Sequence, residues 1–431
     1  MLRMQHIARR GLAIVASLAL AVSAAACSND GGGTAAKVDV PGVTDTEILF
    51  GSHQPLTGPA APGYSKIAKA TEAYFNYVNA AGGVHGRKLK YKYVDDGYDP
   101  NKTQTVVREL VLQDKVFAIL NGLGTPTHTG VLDFLKTNRV PDLFVASGSR
   151  SWNQPDKYPY TFGWQTDYTV EGKVMATYIK NEQAGKKVCH LGQNDDFGKD
   201  SLLGVQKVLG ASGLTKTDTY VTSNTNVGPQ IGGFQAAGCE VVVLATVPGF
   251  TALVLGTAAR LAYRPQWVVS SVGGDYLTLA GRLGAQGTPL LEGLVGAGYL
   301  PAVSDTSNPW IQLFQKVNDQ YNAGQAFDGN ILYGMSVGYT LVQALQAAGK
   351  NLTREGIVAA IEKGGFKGPG TTPFRYSKTV HAGYSGVQMA RTTGGKQSYF
   401  GKIYTTDDGE GEVKEFSEAA TTPPANGIPS A

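Results

Sequence analysis

Cysteine is scarce in this chain: three residues in 431, at Cys27, Cys189 and Cys239. No Cys-x-x-Cys occurs, and the six histidines (His6, His53, His85, His128, His190 and His381) form no pair at metal-ligand spacing. A metal site is therefore not expected, and nothing calls for a cofactor. An excess of one charge is also lacking. Lysine and arginine number 38 against 34 acids, and the first 26 residues hold three of the basic residues and no acid. The remainder is close to neutral, which excludes a basic field for nucleic acid or a polycationic surface for anionic lipid. Beyond the N-terminus no apolar run approaches the roughly eighteen residues of a membrane span. Glycine is abundant (56 residues) but follows no period, so collagen-like and low-complexity readings fail.

What is present starts at the N-terminus. Arg3, Arg9 and Arg10 precede the apolar run Leu12–Val22, and Ser23-Ala24-Ala25-Ala26 leads into Cys27. A basic segment, a short apolar segment and small residues before a cleavage point describe a signal peptide over residues 1–26. The cysteine placed directly after them resembles a bacterial lipobox, so Cys27 is expected to carry lipid. Ordinary secretory cleavage at the same place is the alternative. A Ser/Asn/Gly/Thr/Ala tether follows, assigned to residues 27–44. The working part is therefore expected outside the cytoplasm, held on the bacterial cell membrane by Cys27, or else periplasmic or secreted. Acylation of Cys27 leaves Cys189 and Cys239 as an even pair in an oxidising compartment, either bridged between adjacent strands or buried as two thiols.

From Glu47 onward short β-branched runs alternate with helical patterns. Strands are predicted at Glu47–Phe50, Lys88–Val94, Val116–Leu120 and Asp142–Ala146, then at Lys187–Leu191, Thr217–Val221, Glu240–Thr246, Trp267–Ser270 and Tyr384–Thr392. Helical spacing lies between them. The fold class is α/β: two doubly wound lobes, residues 45–165 with 301–375 and residues 166–300 with 376–410. Residues 411–431, rich in Pro, Ala and Thr, are expected to be disordered.

Two turns at strand ends carry binding chemistry. Leu120-Asn-Gly-Leu-Gly-Thr-Pro-Thr127 and Val145-Ala-Ser-Gly-Ser-Arg-Ser151 offer backbone N–H groups and hydroxyls suited to a small carboxylate, or simply cap helices. Gly122-x-Gly124 lacks the third glycine of a dinucleotide site. Gly334-Met-Ser-Val-Gly338 spells a hydrolase elbow, with His381 and Glu362 as paper partners for Ser336, but it lies inside a helical run. Asp95-Asp96 and Asp195-Asp196 read as loop-end and turn acids whose neighbours point apart.

Leu56-Thr-Gly-Pro59, Val78-Asn-Ala-Ala-Gly-Gly-Val-His-Gly-Arg-Lys-Leu89, Val94-Asp-Asp-Gly-Tyr-Asp-Pro100 and Asn194-Asp-Asp-Phe-Gly198 resemble the branched-chain amino-acid-binding (Leu/Ile/Val-type) solute-binding proteins of ABC importers. The likeness implies a type I periplasmic-binding-protein fold. Three crossover segments would join its lobes, near Phe162–Tyr168, Gly293–Leu300 and Phe374–Gly386, and the ligand would lie between them. It further implies a carboxylate clamp at Thr125, Ser147 and Ser149, with Tyr64 at the lip of the first lobe, Phe197 closing over the ligand from the second and Tyr168 where an acid often helps hold the amine; Gly124, Gly148, Gly249, Ser271 and Asp275, the last offset from the family's acid, are further candidate ligand contacts. Ser270-Ser271-Val272-Gly273 stand where the family carries its amine-binding acid. A carboxylate or amide without a charged amine is thus as plausible a ligand as an amino acid. The partners implied are the small ligand and ABC permease subunits, with no nucleic acid, and the protein is expected to be a monomer without enzymatic activity. A surface sensor for a receptor and a secreted serine hydrolase are the alternatives.

Overall fold

The computed structural model describes residues 39–430. The signal peptide, Cys27 and most of the tether lie outside the described residues. The last part of the expected tether belongs to the folded body. Leu49 N–H donates to Gly42 O, Val43 bridges Ile48, and Val40 packs on the core.

Thirteen strands form two sheets among the described residues. The first holds β1 (Glu47–Gln54), β2 (Lys88–Asp95), β3 (Ala118–Leu120), β4 (Asp142–Val145) and β5 (Thr161–Gly163) in the order β2-β1-β3-β4-β5. All its pairs are parallel. The second comprises β6 (Val188–Gln193), β7 (Leu214–Tyr220), β8 (Val241–Ala245), β9 (Gln266–Val269), β10 (Val295–Gly298), β11 (Gly386–Thr393), β12 (Lys396–Thr405) and β13 (Lys414–Phe416), in the order β13-β12-β11-β10-β9-β8-β6-β7. It is parallel from β7 to β10 and antiparallel from β10 to β13. Every residue of β3, β4, β6 and β8 is buried, as expected for parallel strands covered on both faces. Strands β5, β10, β12 and β13 escape sequence reasoning. Thr-Phe-Gly and Val-Gly-Ala-Gly are too short or too glycine-rich for a strand pattern, and β12 carries Gly401 in its middle.

The chain passes from the first sheet to the second after β5 and returns after β10. It then lays helices Pro309–Tyr321 and Gly329–Ala348 against helix Ile67–Ala80, and passes back before β11. Helix Gly329–Ala348 is buried nearly all round, and the two glycines of the elbow-like motif explain its fit. Gly334 and Gly338 let it close onto Ile67, Ala70 and Tyr74, where a Cβ has no room.

The tail corrects the expectation of disorder. After β13 the chain makes a fourth passage and lies on the first lobe. Trp310 Nε1 donates to Thr421 O (2.8 Å), Tyr77 OH to Asn426 O (2.6 Å) and Tyr74 OH to Gly427 O (2.8 Å). A segment poor in large apolar side chains is held here through its backbone carbonyls, which composition does not reveal.

Cys189 on β6 and Cys239 just before β8 form a disulfide with Cα atoms 5.9 Å apart, so the bridged alternative is the one adopted. The pair is buried in the second lobe's apolar core.

Candidate ligand-binding site

The carboxyl ends of both sheets face one interlobe cavity holding about 1090 Å³ between its walls, part of it open to solvent. Tyr64, Tyr98, Thr125, Leu332 and Tyr333 come from the first lobe; Phe197, Ser271, Asp275, Tyr299 and Tyr399 come from the second or its return strands. Polar contacts close the lobes around it. Tyr64 OH donates to Val272 O (2.8 Å), Gln193 Nε2 to Tyr98 OH (3.2 Å) and Asn330 Nδ2 to Thr278 Oγ1 (3.0 Å).

The residues expected to form a carboxylate clamp are brought together but differently engaged. Thr125 Oγ1 and Ser147 Oγ share a buried hydrogen bond of 2.7 Å. Tyr168 heads helix Tyr168–Glu182, and its ring lies over Gly148. Its phenol is buried, which pushes its pKa up; the Gly148 amide and the Ser147 and Thr125 hydroxyls face it and pull the other way. Ser149 turns away from the cavity. Its hydroxyl donates to Asp200 Oδ2 of the second lobe (3.0 Å), and the Arg150 N–H donates to the same oxygen (3.1 Å). Ser149 is thus an interlobe contact. The physical reason is that lobe closure carries the protein's own carboxylate onto the turn that local sequence offers to a ligand's. Gly249 also lies outside the cavity wall, 3.3 Å (at an added Cβ) from Pro59 O across the lobe boundary. Gly124, Tyr64, Phe197, Ser271 and Asp275 line the cavity, as do Thr125 and Tyr168.

Sequence reasoning missed Glu171. Its buried carboxylate reaches the loop after β9, where it accepts from Ser271 N–H and from Ser271 Oγ (3.1 Å). Burial raises its pKa to about 7, against the downward pull of those two donors. An acid therefore does stand at the Ser270–Gly273 loop, supplied by a helix a hundred residues earlier in the chain. The only signal was helical spacing: Glu171 sits one turn on from Asp167, which caps the helix through Thr169 N–H (2.7 Å). Asp275 caps helix Tyr276–Gly287, accepting from Thr278 N–H (2.8 Å), while its other oxygen takes Gly329 N–H (3.2 Å) from the opposite lobe. Burial and nearby Asp328 raise its pKa.

The profile of the periplasmic binding protein family matches residues 47–397. The chain belongs to that family. It is similar to Leu/Ile/Val-binding protein homolog 2 of Brucella abortus, 26% identical over 343 residues that cover 77% of this chain and 87% of that protein. Among solved structures it is similar to a fatty acid ABC transporter substrate-binding protein from Thermomonospora curvata (TM-score 0.76, 22% identity, 85% of this chain and 95% of that one). It is also similar to a branched chain amino acid ABC transporter protein from Thermus thermophilus with bound valine (TM-score 0.74, 22% identity, 85% and 98%). The two-lobed type I fold is thereby shown, and with the family an extracytoplasmic place.

This binding protein is not an enzyme. The residues of the hydrolase alternative show how a motif misleads. Ser336 is buried inside helix Gly329–Ala348 and gives its hydroxyl to Leu332 O (2.6 Å), one turn back. His381 Nε2 and Glu362 Oε1 do approach to 3.4 Å, while His381 Nδ1 is bound to Thr161 O (2.8 Å). The first acid pair splits as expected: Asp96 turns inward to His53 and Asp95 outward to Thr57 and Lys102.

Proposed function

We propose that this binding protein is the solute receptor of an ABC importer. It captures a small amphipathic organic solute between its lobes, closes on it, and presents the closed form to the permease. The observation that carries the reading is the interlobe cavity, roofed by Tyr64–Val272 and Tyr98–Gln193 contacts that exist only when the lobes are together. The relatives' names support the transport context, since two similar structures belong to ABC transporters of valine-type and fatty-acid ligands. Lipid on Cys27 would hold the receptor at the outer face of the cell membrane, and one receptor would serve one docking event as a monomer.

A thermal-shift screen over amino acids, amides, amines and organic acids tests the receptor reading. A cognate solute at a hundredfold over its Kd stabilises the protein by about 2.7 kcal/mol. Solute-independent melting across the whole screen, together with no solute carried through native purification, would sink it. Loss of membrane fractionation on Cys27→Ala tests the anchor.

A further inference from the structure

We propose that the solute is an organic cation with an apolar or aromatic body and no carboxylate, held against tyrosine rings with Glu171 and Asp275 as its countercharges. The inference rests on the receptor reading and specifies the ligand of that same cavity.

The walls make the case. None of the residues lining the cavity is lysine, arginine or histidine. Six of them are tyrosines, and four of those direct their hydroxyls into the protein. Tyr64 OH reaches Val272 O, Tyr98 OH takes Gln193 Nε2, Tyr333 OH takes Asn121 Nδ2 (3.1 Å), and Tyr399 OH donates to Leu300 O. What these side chains present to a ligand is ring surface, whose face carries partial negative charge. Their raised pKa values keep them neutral, so they add π faces and no phenolate.

The charges behind the walls share that sign. Asp275 lines the cavity, and Glu171 stands directly behind Ser271. Neither is in an ion pair among the described residues; their partners are backbone N–H groups and hydroxyls. Lys66 lies nearby but is bound to Asp328 at 2.6 Å, which uses its charge. A buried carboxylate with no cation is costly, and burial holds both groups above their ordinary pKa. A ligand ammonium would supply the missing countercharge. A ligand carboxylate would enter a field of the same sign, with no basic side chain to meet it. The one set of neutral donors the sequence offered it, at Thr125, Ser147 and Gly148, already faces the Tyr168 phenol.

Isothermal titration of the full protein with a matched series reads this directly: 2-phenylethylamine, 2-phenylethyltrimethylammonium, 2-phenylethanol, 3-phenylpropanoate and phenylalanine. Both cations should bind about tenfold tighter than the alcohol, and the propanoate at least about a hundredfold weaker than the cations. Removing the carboxylate of phenylalanine, to give 2-phenylethylamine, should strengthen binding. Glu171→Gln should weaken the cations about tenfold and leave the alcohol unchanged; if that variant does not fold, the series on the parent protein decides alone. Tighter binding of propanoate or phenylalanine than of the amine overturns the inference and leaves the receptor reading intact. Absence of binding by both cations at millimolar concentration also overturns it, while the broad solute screen still judges the receptor reading separately.

Discussion

Buried ionisable groups are treated differently in the two lobes. In the first lobe they are paired with one another. Asp96, His53, His128 and Asp142 form a fully buried row: His53 Nδ1 lies 2.7 Å from Asp96, His53 Nε2 2.8 Å from His128 Nδ1, and His128 Nε2 2.8 Å from Asp142. Thr103 and Thr161 add hydroxyl donors to the two carboxylates. In the second lobe Asp167, Glu171 and Asp200 meet mainly hydroxyls and amides, and burial raises them to about 7, about 7 and about 6. Behind the Thr125 helix the buried acids are met by imidazole rings; beside Ser271 they meet only backbone N–H groups and hydroxyls. A lobe whose buried acids have ring partners of their own works as a scaffold; one whose acids lack a cation is poised to take one from elsewhere.

Breaking the hydrogen-bonded row should have the largest effect. His128→Ala leaves Asp142 with the Thr161 hydroxyl alone and takes away one of the two partners of His53, and removing one member of a buried pair costs about 3–5 kcal/mol. Urea unfolding measures it; a loss under about 1 kcal/mol would mean the row is not what holds the first lobe. Next comes the second lobe's covalent tie. Cys189→Ala with Cys239→Ala frees a loop spanning a separation of 50 residues, worth about 2–4 kcal/mol. The parent protein should show the same shift of urea midpoint on full reduction, whereas a first-lobe probe should move less than a second-lobe one.

The side whose acids lack ring partners is probed by pH. Glu171 binds its proton more tightly folded (about 7) than unfolded, so it adds stability as pH falls below 7 and loses that addition as pH rises through 7. In Glu171→Gln this dependence vanishes. Relative to the parent, the variant should gain about 2–3 kcal/mol between pH of about 5 and about 8, since each tenfold difference in proton affinity between folded and unfolded chain is worth about 1.4 kcal/mol. Parallel stability profiles for the two proteins would refute the assignment. The smallest effect belongs to the interlobe contact. Ser149→Ala removes the hydroxyl bond to Asp200, so affinity should fall a few-fold, as a lost hydrogen bond of about 1 kcal/mol implies. Because Ser149 touches the other lobe and lies outside the cavity wall, the factor should be the same for every ligand. A loss confined to carboxylate ligands would return Ser149 to the clamp.

The sequence by itself determined the α/β class, the family and most strands that carry β-branched runs, because those patterns are local: period, composition and turn residues act within about ten positions. It also placed Tyr64, Thr125, Tyr168, Phe197 and Asp275 at the cavity, through motifs that keep their order along the chain. Contacts made between distant segments were decided by tertiary structure alone. Glu171 meets Ser271 across a separation of 100 residues, Asp200 reaches Ser149 across 51, and the tail's carbonyls find Tyr74 and Tyr77 across about 350. No local pattern encodes these. A hydroxyl or a carbonyl bonds whichever donor or acceptor the packed lobes deliver to it, and burial then sets the charge of the acids left inside.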